Sequence, residues 1–139
     1  MSTIEHPEFY LGQQETFSKV ITEGESALFA GLVGENSPDI IANSTSGIET
    51  IRQCVVNPLL LVGIIGGLLN SRIPGKGSQC VTIQYEFLAP IFCGDRIETT
   101  IEMIGYDPQK HLVTMKTNSF NQGKNQVLTG QAVMLVPAQ

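Results

Sequence analysis

The chain has 139 residues, 42% of them apolar and 15% charged, a balance that excludes a disordered protein and suits one compact domain over residues 1–139. A chain of that length buries roughly two thirds of its unfolded surface on folding. The net charge is −5 and the eight Lys and Arg are spread singly, so no basic stripe marks a nucleic-acid partner.

Glu15 to Ile21 reads as a first strand, and Ser26 to Val33 as a short helix. Next comes Gly34-Glu35-Asn36-Ser37-Pro38-Asp39-Ile40, in which Asn36 and Ser37 have the chemistry of turn residues that bond the local backbone. Leu59 to Leu69 is apolar around its whole circumference, which predicts a helix buried within protein. Asn57 is a good N-cap and Pro58 a good first-turn residue, while Asn70 and Pro74-Gly75 supply the stop. A parallel-sheet strand is the rival reading, but length and caps favour helix. At eleven residues the segment is too short for a bilayer, which needs ~20, so no membrane partner is expected. Gly63, Gly66 and Gly67 each weaken that helix by about 1 kcal/mol relative to Ala. They imply close packing against a strand, or room for a ligand chain.

The second half alternates. Val81, Ile83, Tyr85 and Phe87 share one face of a strand, with Thr82, Gln84 and Glu86 on the other, which predicts a strand with one face buried and one in water. Similar patterns run over Ile97 to Gly105, Leu112 to Phe120 and Val127 to Val136, separated by turn-like breaks at Pro90 to Asp95, Tyr106 to Lys110 and Asn121 to Asn125. Together these predict an α+β fold, with about five antiparallel strands curved around one buried helix.

Cys54, Cys80 and Cys93 cannot all pair, show no C-x-x-C spacing and sit in apolar runs, so each reads as a buried thiol. With no apolar segment over Met1 to Tyr10, a reduced, cytoplasmic setting is the expectation. His6 and His111 lie in no obvious motif and read as ordinary exposed residues.

The segment from Gly34 to Ile40 resembles the G-D-x-N-P-x-H signature of the MaoC-like (R)-specific enoyl-thioester hydratases, a branch of the hot-dog fold. Gly34 and Pro38 match it, Glu35 replaces the Asp, Ser37 the Asn and Ile40 the His. The likeness extends from Phe29 to Pro137. Pro74-Gly75-Lys76-Gly77-Ser78 resembles the loop after the family's central helix. Phe87, Pro90, Gly94 and Asp95 resemble its F-x-x-P-x-x-x-G-D turn, and Gly130, Ala132 and Pro137 its last strand.

The resemblance implies a hot-dog homodimer joined through its sheets, with a heterodimer containing an active paralogue as the alternative. It implies an acyl-CoA or acyl-carrier-protein thioester as substrate, and no cofactor or metal. Glu35 falls in the catalytic carboxylate position, and Ser37, Ile40, Asn57, Pro58, Gly63 and Lys76 are candidates for substrate binding.

Hydrating a conjugated thioester needs one group to take a proton from water, another to protonate the α-carbon, and donors for the thioester oxygen. In the family an Asp and a His share the proton work, and the N–H of a Gly after a second His holds the oxygen. Here that His-Gly is Asn57-Pro58, and proline has no N–H to give. Three readings follow: an altered hydratase or dehydratase centred on Glu35, including a repurposed lyase or isomerase; a non-catalytic subunit that shapes the tunnel of an active partner; and a thioesterase that works with Glu35 alone.

Overall fold

The computed structural model describes residues 9–35, 40–41, 44–46, 49–51 and 54–137. In chain order the elements are β1 (Gln14–Val20), α1 (Glu23–Val33), β2 (Ile40–Ile41), β3 (Ser44–Ser46), β4 (Glu49–Ile51), β5 (Cys54–Val56), α2 (Pro58–Ser71), β6 (Gln79–Phe87), β7 (Ile91–Phe92), β8 (Arg96–Asp107), β9 (Leu112–Phe120) and β10 (Gln126–Leu135). The main sheet is antiparallel with order β1-β8-β9-β10-β6, and β2-β5-β7 form a small second sheet. This is the α+β arrangement expected from the alternating second half.

Helix α2 carries the core. Leu61, Ile65 and Leu69, spaced four apart on one face, are buried together with Ile101 and Met103 of β8, Met115 of β9 and Ala132 and Met134 of β10 in one cluster. Asn57 caps the helix by accepting the Leu59 N–H at 3.0 Å, and Pro58 occupies the first turn. No helix among the described residues is long and apolar enough to cross a membrane.

Helix α1 begins three residues earlier than Ser26. Thr22 accepts the Glu25 N–H at 3.1 Å and donates its own N–H to the Glu25 carboxylate at 3.0 Å, a reciprocal capping box. Lys19 of β1 sits 2.6 Å from the same carboxylate. Its ammonium, then the Thr22 donors, hold the Glu25 carboxyl down at about 2. The pair is exposed, so its worth is that of an ordinary surface ion pair.

Three expectations need correction. Helix α2 is not enclosed all round: Leu59 is 55% exposed, and Gly63 and Gly67 also face outward. Among the described residues, a Cβ built at Gly63, Gly66 or Gly67 meets nothing within 4 Å, so close packing against them does not explain these glycines. Strand β6 is not half-buried, since Val81, Ile83 and Phe87 are exposed although they point to the helix side. The reason is position: among the described residues β6 is an edge strand with β10 as its single neighbour, so its inner row ends in the open.

The cysteines differ too. Cys80 is exposed, and Cys54 and Cys93 form a disulfide. Val55 pairs with Phe92 across β5 and β7, which brings the next residues, Cys54 and Cys93, opposite one another with Cα atoms 5.4 Å apart. Short strands of two and three residues carry no periodic signal, so this pairing was invisible in the sequence.

Candidate active site

Helix α1 ends at Gly34, in the left-handed conformation at φ 75°, a geometry glycine adopts without steric cost. The Glu35 N–H then bonds the Ala30 carbonyl at 2.9 Å, which fixes the Glu35 backbone just past the helix end. Asn57 stands at the start of α2, and its side chain serves two partners. Its Oδ1 caps the helix, and its Nδ2 donates to Glu35 Oε2 at 3.4 Å, a long contact by hydrogen-bond standards. Both residues are half-buried. Among the described residues, Glu35 forms no ion pair with Lys, Arg or His.

The backbone of Ile40 lies opposite Val55, two residues before Asn57, because β2 pairs with β5. Three segments therefore converge: Gly34-Glu35, the start of β2, and Asn57-Pro58. Ser37, and the side chain of Ile40, lie outside the described residues, as do Asn36, Asp39 and His6. Gly63 is on the open side of α2. Lys76 is exposed in the turn that follows this fourteen-residue helix, about 21 Å along the axis from Asn57 at 1.5 Å per residue. The structure does not bring Lys76 to Glu35. His111, at φ 56°, belongs to the turn between β8 and β9.

The donors at the start of α2 are committed. Pro58 has none, the Leu59 N–H is held by Asn57 Oδ1, and the Leu60 N–H bonds the Asn57 carbonyl at 2.9 Å. What remains beside the carboxylate is the Asn57 amide. The chemistry present is a carboxylate that can carry a proton and a neutral amide that can steady it or hold a developing negative oxygen. The coupling of Asn57 to Glu35 went unseen in the sequence because the N-cap role accounted for the asparagine completely.

The order of strands and the central helix define a hot-dog fold. No protein-family model matches the chain. An (R)-specific enoyl-CoA hydratase of Rhodospirillum rubrum is 31% identical over 128 residues, 92% of this chain and 88% of the relative. An (R)-specific enoyl-CoA hydratase of Aeromonas caviae is 30% identical over 127 residues, 91% of this chain and 95% of the relative. The solved A. caviae (R)-hydratase, described as involved in PHA biosynthesis, superimposes with a TM-score of 0.82 at 29% identity over 95% of this chain and 100% of that one. The chain belongs to the (R)-specific enoyl-CoA hydratase family of MaoC-like hot-dog proteins.

Proposed function

We propose that this protein acts on acyl thioesters with an altered active site, in which Glu35 moves the proton and Asn57 positions it. The observation that carries the reading is the Asn57 Nδ2 to Glu35 Oε2 contact of 3.4 Å, beside a proline that offers no N–H. Hydration with the family's full machinery is not expected. A repurposed lyase or isomerase step, in which one carboxylate shuttles a proton on an acyl-CoA or carrier-protein substrate, needs only what these residues offer. The second reading, a non-catalytic subunit beside an active paralogue, is favoured by the committed donors at the start of α2.

Restoring the missing groups tests the altered site directly. The double variant Ile40→His with Pro58→Gly supplies an imidazole and a backbone N–H. Its hydration of a trans-2-enoyl-CoA should exceed the natural protein's by ~10²-fold or more, the usual scale of one acid–base group. Equal rates, or a natural protein already at the ~10 s⁻¹ typical of enzymes, would overturn this account of the site.

We also place two copies together along β6. The support is an edge strand with Val81, Ile83 and Phe87 exposed beside the open side of α2, surface that a second copy would cover. Sedimentation equilibrium should give twice the chain mass at micromolar concentration, and a monomer would remove the assignment. A cytoplasmic setting suits an acyl-thioester substrate, and Cys54 and Cys93 would face a reducing environment there.

A further inference from the structure

Cys54 and Cys93 stand where the small sheet meets the candidate site. Cys54 opens β5, three residues before Asn57, and lies opposite Ile41 of β2 on one side. On the other side the Cys93 N–H donates to the Cys54 carbonyl at 2.9 Å, one step beyond the Val55 and Phe92 pair. The two Cα atoms are 5.4 Å apart, inside the range that a disulfide needs. Both residues are half-buried, so neither is sealed in the core.

The two strands that carry these residues are held unequally. On the β7 side, the buried Asp95 accepts the Phe92 N–H at 2.9 Å with one carboxylate oxygen and Gln122 Nε2 at 2.9 Å with the other. The Gly94 N–H bonds the Ile21 carbonyl at 2.7 Å, and Ile91 is part of the core. Cys93 therefore sits on a firm support. Strand β5 has three residues, and among the described residues its ladder partners are the two-residue strands β2 and β7. Ladders that short open easily. A covalent bond from Cys93 to Cys54 passes the firmness of β7 to β5. That strand runs through Val55 and Val56 into Asn57, whose side chain caps α2 and meets Glu35.

We infer that Cys54 and Cys93 are a reversible redox pair whose state sets how firmly Asn57 is held beside Glu35. The pair stands independently of the reaction; its effect on turnover rests on the Glu35 reading. In a reducing setting such a pair rests as two thiols and closes when oxidant rises. The oxidant is hydrogen peroxide. One thiolate attacks a peroxide oxygen, the O–O bond breaks, and a sulfenic acid forms while the other oxygen leaves as water after taking a proton. The second thiolate attacks the sulfenic sulfur, the S–S bond forms, and the remaining oxygen leaves as a second water. Two thiols thus give up two electrons and one peroxide becomes two waters. A dithiol reverses the change by exchange and is itself oxidised to a disulfide. Oxidation tightens β5 and Asn57, and reduction loosens them. Cys80 takes no part, since it lies on β6 opposite Met134.

The test reads thiols and hydrogen exchange, so it is independent of turnover. Cys80→Ser leaves Cys54 and Cys93 as the remaining cysteines. Alkylation and mass spectrometry should count both thiols before hydrogen peroxide, neither after it and both again after dithiothreitol, always on the mass of a single denatured chain. The Leu59 N–H donates to Asn57 Oδ1, so its exchange reports that side chain directly. Its exchange should slow by about tenfold or more on oxidation, as should that of the Cys93 N–H, because the cross-link opposes local opening. In the double variant Cys54→Ser with Cys93→Ser, checked for folding by circular dichroism, both amides should keep the faster rate with or without peroxide. Thiols that persist after peroxide or fail to return, disulfides between chains, a Leu59 amide indifferent to oxidation, or a double variant that still responds would each overturn the inference. If exchange responds while Glu35→Gln leaves turnover intact, the redox pair stands and the acid–base reading of Glu35 falls.

Discussion

Gly130→Ala should leave little or no folded protein. Gly130 lies in the middle of β10, opposite Tyr85 of β6 on one side and Thr117 of β9 on the other. A Cβ there would collide with the Gln84 carbonyl oxygen and stand 2.7 Å from Tyr85 Cδ1 and 2.8 Å from Tyr85 Cα. Two of these three are backbone atoms of a paired strand, so they cannot give way without breaking the ladder. The ring of Tyr85 occupies the space a side chain would take, and its hydroxyl meets the buried Thr117 Oγ1 at 3.3 Å. Burial also pushes the Tyr85 phenol above its ordinary pKa. The expected cost exceeds ~4 kcal/mol, within the range that unfolds ordinary domains, whose total stability is about 5–15 kcal/mol. Urea unfolding of whatever folds would measure it. A loss below about 1 kcal/mol would mean that β6 and β10 do not pair in this register.

The elements that were legible in the sequence were those long enough to show a period. The strand at Leu112–Phe120 has the expected bounds, and α2 runs one residue earlier and two later than Leu59 to Leu69, because its caps are strong. The start of α1 was misplaced although Thr22 and Glu25 carry the capping-box spacing, since the apolar pattern begins only at Ala27. Burial was harder to read than identity. The inner row of β6 alternates as cleanly as any in the chain, yet alternation records which face a side chain takes, not whether anything lies over that face. The same limit applies to α2, whose apolar circumference has an open side within one chain.

The site was legible only as separate pieces. Glu35 and Asn57 are twenty-two residues apart, and each had a sufficient local explanation, one as a loop carboxylate and the other as a helix cap. What joins them is tertiary: the left-handed stop at Gly34 and the pairing of β2 with β5 direct the two segments to the same place. Lys76 follows the opposite end of the central helix from Asn57, so this chain does not bring it to the Glu35 carboxylate.

Glu35→Gln should lower turnover on the protein's own substrate by at least ~10²-fold, the typical contribution of one general acid–base group. The substitution isolates proton transfer. The glutamine Oε1 can still accept from Asn57 Nδ2, and the backbone bond from residue 35 to the Ala30 carbonyl does not involve the side chain. Stability should therefore change by no more than about 0.5 kcal/mol, as for most substitutions at partly exposed positions. Substrate affinity should also hold, since a neutral amide of the same shape fills the same volume. A fall in kcat with KM unchanged is the signature of an interaction made only in the transition state. Screening acyl-CoA thioesters of graded chain length supplies the substrate, with loss or migration of the conjugated enoyl absorbance as the readout. Turnover unaffected by the substitution would remove Glu35 from the chemistry and put the active group elsewhere, with Asn57 reduced to its capping role. No turnover by the natural protein on any thioester would instead make this chain the silent partner of an active paralogue.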